Sequence, residues 1–150
     1  MSYTNYVTES VEEERSLASR FRLAVVRLNR KLRAQRTNST VTLTQLAALS
    51  TVYKCGPLTP GELAAKEGVQ PPSMTRVIAA LEEMGYVTRQ PHPTDGRQAI
   101  VAISAAGRTF HNAQIMAKEA WLDRRLAELT QDERELLDKA AEIIDRMAGK

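Results

Sequence analysis

A tightly punctuated segment in the middle of this chain restricts its fold more than any other feature. The stretch TPGE (59–62) has the spacing of a capping box with proline at the first helical position, so a helix begins there. Gly68 ends that helix within two turns, and Pro71-Pro72 cannot lie inside a helix. The two prolines therefore predict the start of a second helix, which ends at Gly85.

The second of these helices has two distinct faces. Apolar residues repeat at helical spacing along one face, which comprises Met74, Val77, Ile78, Leu81 and Met84. The opposite face begins with Gln70, Pro72, Ser73, Thr75 and Arg76. Short hydroxyl side chains and an arginine at a helix N-terminus are typical of residues that contact base edges, where free N–H groups also favour phosphate. A short helix, a glycine turn and a second helix of this kind form the helix-turn-helix signature, although Ser73 or Thr75 alone is equally consistent with helix capping.

A predicted β-hairpin follows directly and converts the motif into a winged helix. YVTRQPH and QAIVAIS are strand-like, and the turn between them contains Thr94, Asp95 and Gly96. Arg97 lies at the tip or its exit, and we expect Asp95 to hold its guanidinium while the arginine enters a minor groove. Arg89, on the incoming strand, is suited to a backbone phosphate. The alternative for Arg97 is a surface ion pair.

Helical patterns account for the rest of the chain. Apolar periodicity predicts a first helix over about residues 12–36, which TNST (37–40) breaks. Thr42 and Gln45 have capping-box spacing and open a helix through Val52, which Gly56-Pro57 ends. Ser104 caps a long helix, and TQDE (130–133) opens a last helix with a regular apolar stripe. The predicted fold is mainly α with a small β-hairpin, in the order helix, helix, short helix, helix, hairpin, long helix, helix.

Composition excludes several classes of protein. A chain of 150 residues with 43% hydrophobic content fits one domain with a buried core, and no run of eighteen apolar residues exists. The N-terminal stretch lacks the basic and then apolar order of a signal peptide. A single cysteine, Cys55, excludes an intrachain disulfide and fits a cytoplasmic location. With two histidines it forms no zinc spacing, so we predict no metal and no cofactor.

Charge is unevenly distributed although the net charge is only +3. Residues 15–36 carry eight Lys or Arg and no acid, whereas residues 119–146 carry nine acids against five bases. A basic helix is often a solvated face. Alternatively, it faces phosphates or an acidic helix of a neighbouring subunit.

The segment ELAAKEGVQPPSMTRVIAALEEMGYVTRQPHPTDGRQAIVAIS resembles the MarR family of bacterial transcriptional regulators. That family shows a helix close to VTRxVxxLExxGxVxR and a wing of the form DxxDxR, which correspond here to MTRVIAALEEMGYVTR and HPTDGR. His92 replaces the usual first aspartate, whereas Asp95 and Arg97 are both present. The order of helices agrees across nearly the whole chain.

This resemblance implies a single MarR-type domain over residues 1–150. Its winged helix-turn-helix lobe for double-stranded DNA would span residues 40–103, and a helical dimerisation lobe would comprise residues 10–36 and 104–147. The protein is then expected to be a homodimer that reads a pseudo-palindromic operator. Many relatives are repressors that a small, often aromatic and anionic, ligand releases from DNA, and some respond to cysteine oxidation instead.

Candidate ligand-binding residues follow from position near the junction of the two lobes: Phe21, Tyr53, Cys55, His111 and Trp121. Ordinary core packing is the alternative for each. Cys55 ends the second helix, whereas peroxide-sensing relatives place their cysteine near the start of the first, so redox control is an alternative without that motif. No catalytic triad, acidic dyad or phosphate loop indicates an enzyme. A winged helix used only for protein contacts is a further alternative.

Overall fold

The computed structural model describes residues 3–38 and 40–149. Met1, Ser2, Lys150 and Ser39, which belongs to the predicted TNST break, lie outside the described residues. Within the described ranges, six helices and two strands follow in the predicted order, which confirms the mainly α fold with a small hairpin. The elements are α1 (Tyr3–Ala34), α2 (Leu43–Cys55), α3 (Pro60–Glu67), α4 (Pro71–Glu83), β1 (Val87–Pro91), β2 (Ala99–Ile103), α5 (Ala105–Ala127) and α6 (Gln131–Met147).

The chain divides into two compact units. The central unit holds Arg36–Glu119, and the terminal unit holds the segments up to Gln35 and from Ala120 onward. The boundary therefore lies inside α5, whereas the predicted winged-helix lobe ends at residue 103. The first part of α5 belongs with the central unit.

The core of the central unit is formed by α2, α3, α4 and the hairpin. Its largest fully buried side chains are Leu49, Leu63, Met74, Ile78, Leu81, Val41, Val52, Val87 and Val101. On α4, Met74, Ile78 and Leu81 are buried, and Val77 and Met84 pack partly buried against them, which confirms the predicted apolar face. Burial of one such side chain contributes roughly 1.5–3 kcal/mol.

The two strands pair antiparallel, from Val87 opposite Ile103 to Pro91 opposite Ala99. Leu58, in the connection before α3, adds a single bridge to the sheet. Its N–H donates to the carbonyl of Val101 at 3.0 Å, and the N–H of Val101 donates back at 2.7 Å. The hairpin is thereby attached to the helix-turn-helix on which its base rests.

Three capping boxes fix where helices begin, as predicted. Thr42, Thr59 and Thr130 each accept a hydrogen bond from the backbone N–H three residues later, at 3.2 Å in every case. The reciprocal bond from each threonine N–H to the Gln or Glu side chain is also present. An N-cap of this kind contributes roughly 1 kcal/mol. Gly68, at φ 62°, ends α3 in the left-handed conformation that glycine adopts most easily.

Two helix boundaries differ from the prediction. The first helix begins at Tyr3 rather than near residue 12, because the apolar repeat that predicts it starts at Leu17 and does not fix how far the helix extends before that residue. The second helix continues past Val52 to Cys55 and ends at Gly56, as Gly56-Pro57 predicts, and the N–H of Gly56 closes its last turn by donating to the carbonyl of Val52 at 3.0 Å.

The N-terminus of α5 packs closely against the residues that precede the hairpin. Ser104 Oγ accepts from the N–H of Gly107 at 2.9 Å and donates to the carbonyl of Gly85, so its predicted capping role is confirmed. A Cβ at Gly107 would lie 2.0 Å from the carbonyl oxygen of Tyr86. The rings of Tyr86 and Phe110 stack at a centroid distance of 4.5 Å.

The terminal unit exposes an apolar groove that we call the terminal groove. It encloses about 380 Å³ and is lined by Leu17, Ala18, Phe21, Ala140, Ile143, Ile144 and Met147. Leu17 is 59% exposed and Met147 is 71% exposed, although their side chains are apolar. Among the described residues, no helix is long and apolar enough to cross a membrane.

Candidate nucleic-acid interface

All ten residues predicted to contact DNA lie in the central unit, on α4 with its N-cap or on the hairpin. All are exposed except Asp95, which is half-buried. The helix α4 has a buried face and an exposed face. Met74 and Ile78 enter the core, whereas Ser73, Thr75 and Arg76 are exposed to solvent. The exposed side of α4 is therefore free to meet a large polar partner.

The hydroxyl groups on this face do not cap the helix. Gln70 occupies the N-cap position, and within the described part of the chain no side chain makes the N-cap hydrogen bond of α4. The Thr75 hydroxyl donates instead to the carbonyl of Pro71, at 3.0 Å. The capping alternative raised for Ser73 and Thr75 therefore does not apply to the N-terminus of α4.

The two prolines reduce the number of backbone donors at this helix terminus. Pro71 and Pro72 carry no N–H, and the N–H of Met74 donates to the carbonyl of Gln70 at 3.0 Å. The N–H of Ser73 is the first-turn donor that remains for an anion. The anion-binding capacity expected of a helix N-terminus is therefore smaller here, because one backbone donor remains in place of several.

The tip of the hairpin, residues 92–97, is held by hydrogen bonds to two side chains, and we call it the wing tip. The Nδ1 atom of His92 accepts from the N–H of Thr94 at 3.2 Å and from that of Asp95 at 3.0 Å. The Asp95 Oδ1 accepts from the N–H of Arg97 at 3.1 Å. The Arg97 side chain is exposed.

The role of Asp95 differs from the predicted contact with the Arg97 guanidinium. Its carboxylate binds the backbone of Arg97, because a carboxylate two residues before an amide closes an Asx turn. The ion pairs of the described residues are Arg89–Glu82 and Arg125–Glu128. Asp95 thus orients Arg97 through the main chain.

Arg89 is engaged with α4. Its Nε lies 2.7 Å from Oε2 of Glu82, and the two side chains are 40% and 45% exposed. An exposed pair of this kind contributes about 0–1 kcal/mol. It connects β1 to the C-terminal part of α4, so a phosphate at Arg89 must share the guanidinium with Glu82 or displace it.

Two of the five predicted ligand-binding residues are in contact in the central unit. The rings of Tyr53 and His111 lie 4.3 Å apart, and the Arg108 guanidinium lies 5.2 Å from the centre of the Tyr53 ring. Cys55 is exposed at the end of α2. Phe21 and Trp121 belong to the terminal unit, where Phe21 lines the terminal groove and Trp121 lies 5.6 Å from the Arg125 guanidinium.

His111 also lines a cavity that the sequence patterns did not predict. This His111 cavity encloses about 210 Å³ and is lined by Leu46, Ser50, Lys54, His111, Gln114, Ile115 and Lys118. Gln114 is buried and bonds Thr37, whose N–H donates to its Oε1 at 3.2 Å. Spacings of four on α2 and of three or four on α5 place these residues on one face of each helix, which is the signal that could have identified them.

The ring of His111 has an unsatisfied nitrogen. The residue is 8% exposed, and its Nε2 finds no hydrogen-bond partner among the residues that the structure describes. Burial lowers the pKa of His111, and the positive charges of Lys54 and Lys118 lower it further. The cavity therefore combines a neutral buried imidazole with two ammonium groups, an arrangement that favours an anion. Groups of three or more potential metal ligands are absent from residues 3–38 and 40–149.

Comparison with known proteins agrees with this architecture. The model of the MarR family matches residues 41–99. An HTH-type transcriptional regulator of Mycobacterium tuberculosis is 48% identical over 134 residues, which cover 89% of this chain and 94% of that protein. An uncharacterised HTH-type regulator of Bacillus subtilis is 33% identical over 107 residues, covering 68% and 69% of the two chains.

Solved structures show the same fold. A Pseudomonas aeruginosa protein described as a transcriptional regulator superimposes with a TM-score of 0.83 at 30% identity, over 92% of this chain and 97% of that one. A mutant of MarR from Escherichia coli gives a TM-score of 0.71 at 23% identity, covering 85% and 95% of the two chains.

Proposed function

The chain belongs to the MarR family of helix-turn-helix transcriptional regulators, and from this premise we propose that it is a homodimeric repressor of a pseudo-palindromic operator. The observation that carries the proposal is the exposed polar face of α4, with Arg76 on it and the hairpin directly after it. Because the opposite face of α4 is buried, this face presents its side chains in a fixed arrangement.

We assign base recognition to the exposed face of α4. Arg76 is suited to grip O6 and N7 of a guanine in the major groove, and Ser73 and Thr75 are short enough to reach base edges beside it. Gln70 and Pro72 would approach the backbone at the start of the helix. The Ser73 N–H, left free by the helix, would donate to a phosphate.

The wing is proposed to contact the adjacent minor groove. Arg97 would enter the groove, where a narrow width concentrates negative potential, while Thr94 and Gly96 allow the tip to approach the backbone. Arg89 would reach a phosphate from β1. Its ion pair with Glu82 supports a backbone-contacting role rather than base reading, since the pair fixes the guanidinium beside α4.

A second copy of the chain is the proposed occupant of the terminal groove. Members of the family act as dimers, and the exposed Leu17, Ile143 and Met147 provide an apolar surface that a partner would cover. The basic residues of α1 and the acidic residues of α6 add charge complementarity between subunits. A twofold dimer of this type reads half-sites about 34 Å apart.

The His111 cavity supports a second element of the proposal, release from DNA by a small anionic effector, often aromatic. Lys54 and Lys118 would neutralise the anion, and the unsatisfied Nε2 of His111 would gain a partner. The Tyr53 ring, tilted by 36° against the imidazole, offers an aromatic surface beside this histidine. Such a repressor would act in the cytoplasm, where its DNA lies.

Selection of bound sequences from random double-stranded DNA tests the DNA-binding function. We expect recovery of a pseudo-palindrome with two half-sites one helical turn apart. The matched control is Arg76→Ala, which should lose preference at one base pair of each half-site. Recovery of unenriched DNA, with no salt-dependent affinity, would show instead that the winged helix serves protein contacts.

A further inference from the structure

The turn at the wing tip depends on a histidine ring nitrogen. The Nδ1 of His92 accepts from the N–H groups of Thr94 and Asp95, at 3.2 and 3.0 Å, and the Thr94 hydroxyl lies 3.3 Å from the same atom. A ring nitrogen accepts a hydrogen bond only when it carries no proton. The observed turn therefore requires a neutral imidazole with its proton on Nε2.

We propose that His92 is the positioning residue of the wing and that it holds Arg97 in its DNA-binding direction only while its imidazole is neutral. The proposal rests on the assignment of Arg97 to DNA in the proposed function. A carboxylate at this position would remain an acceptor at neutral and mildly acidic pH, whereas the imidazole of His92 loses its acceptor at Nδ1 by protonation.

A continuous series of hydrogen bonds connects the imidazole to Arg97. His92 fixes the N–H of Asp95, and Asp95 in turn binds the N–H of Arg97 through Oδ1, at 3.1 Å, and that of Gln98 through its carbonyl, at 3.1 Å. Gln98 closes the series, because its carbonyl accepts from the N–H of His92 at 3.2 Å. Protonation at Nδ1 would place an N–H opposite two N–H donors and open the turn at its first bond.

The hairpin carries few ionisable side chains. Besides His92 itself, residues 87–103 contain Arg89, Asp95 and Arg97 as their ionisable side chains. The helix α4, which contacts β1, contributes Glu82, which is already bound to Arg89. Histidine side chains generally change their charge between about pH 5 and 8, which is the range that the test has to cover.

Three proteins distinguish this role from simple packing: the wild type, His92→Asn and His92→Gln. Asparagine places its Oδ1 where the histidine has Nδ1 and does not titrate, whereas glutamine places its polar group further out. Operator affinity is measured at constant ionic strength between about pH 5.5 and 8. The wild-type affinity, relative to that of His92→Asn, should fall by about two- to tenfold for each wing toward low pH, as expected for one net hydrogen bond.

The His92→Gln variant should bind the operator more weakly than the wild type at pH 8, and its affinity relative to that of His92→Asn should not change with pH. A constant ratio of wild-type to His92→Asn affinity across the pH range would overturn the proposal. An independent measurement is an NMR titration of the free full-length protein, in which the amide signals of Thr94 and Asp95 should move with the same midpoint as the His92 ring. Amide signals of Thr94 and Asp95 that do not shift together with the His92 ring signals would also overturn the proposal.

The experiments can reject the DNA-binding function and the role of His92 independently of each other. If none of the three proteins binds DNA specifically at pH 8, the proposed function is wrong, and the NMR titration still decides whether His92 controls the turn. If all bind and the pH profiles coincide, the DNA-binding function stands and the role of His92 is rejected.

Discussion

Replacement of Gly107 by alanine provides a direct test of how the hairpin and α5 are packed. The new Cβ would lie 2.0 Å from the carbonyl oxygen of Tyr86 and 2.8 Å from its carbonyl carbon, whereas ordinary contacts are 3.4–4 Å. These atoms belong to the backbone, so the first turn of α5 has to move by about 1 Å or more. That movement would disturb the bond from the Ser104 N–H to the same oxygen, which is 3.0 Å long.

The expected size of the effect follows from two opposing contributions. Overpacking of a well-filled site costs about 1–3 kcal/mol, and a backbone obstacle favours the upper end of that range. Alanine is the better helix former by about 1 kcal/mol, which offsets part of the loss. We therefore expect Gly107→Ala to lower the free energy of unfolding by about 2 kcal/mol.

Gly61→Ala is the matched control. Gly61 also lies in the first turn of a helix, and within the described part of the chain nothing lies within 4 Å of its added Cβ. Neither glycine has a positive φ. Urea unfolding followed by circular dichroism, at one fixed protein concentration because a dimer is expected, should show a loss for Gly107→Ala alone. Equal stability of the two variants would refute the close approach of α5 to Tyr86.

Four further predictions concern function and pH. Arg76→Ala should cost about 1–3 kcal/mol of operator affinity per site, with less loss on random DNA, in a binding titration. Arg97→Ala should leave folding nearly intact but lower the slope of log affinity against log salt by about 0.9 for each phosphate charge that is no longer neutralised, with Arg97→Lys retaining the slope. Ile143→Glu should give a monomer in light scattering, whereas Leu43→Glu, at a comparably exposed position outside the groove, should not. The wild type should lose stability below about pH 6.5, and His111→Asn should lose less.

The sign of the last prediction follows from the direction of the pKa shift. Burial lowers the pKa of His111 in the folded protein, so between the two pKa values the unfolded chain binds more protons. Stability is therefore complete above the unfolded-state pKa and falls as the pH decreases toward the folded-state pKa. Parallel pH profiles for the wild type and His111→Asn would contradict this expectation.

Each of the other three predictions, for Arg76, Arg97 and Ile143, has its own contradicting result. An equal loss of affinity on operator and random DNA would make Arg76 a phosphate contact. An unchanged salt slope for Arg97→Ala would make Arg97 a surface charge without a role in binding. A dimer that persists in Ile143→Glu would require a dimer interface outside the terminal groove.

Most of the fold could be predicted because its boundaries are encoded by local chemistry. Thr42, Thr59 and Thr130 each form the predicted capping box, and Gly68 adopts the left-handed conformation that ends α3. These signals act over three or four residues and need no knowledge of tertiary structure. The beginning of α1 is predicted too late, because the apolar repeat that identifies this helix starts at Leu17 and carries no signal for where the helix begins.

The candidate site is less predictable because its details depend on contacts between elements. The sequence identifies Arg97 and Asp95 but not that the carboxylate binds an amide rather than the guanidinium. Arg89 is predicted to bind phosphate, and its pairing with Glu82 arises only when β1 folds beside α4. The His111 cavity unites residues of α2 and α5 that are 57 to 72 positions apart, from Leu46 and Lys54 to His111 and Lys118. Local spacing indicates which of them share a helix face, but not that the two faces meet.

The division of α4 into a buried and an exposed face has a consequence for how binding preference can change. The residues that stabilise the helix, Met74, Ile78 and Leu81, are different from those proposed to read DNA. On the exposed face of α4, the Thr75 hydroxyl donates a hydrogen bond to the carbonyl of Pro71 in the same helix. If Ser73 and Arg76 read bases as proposed, their substitution should alter the preferred base pairs at little cost in folding, and gene duplicates would acquire new target sites through a few surface mutations on an unchanged scaffold.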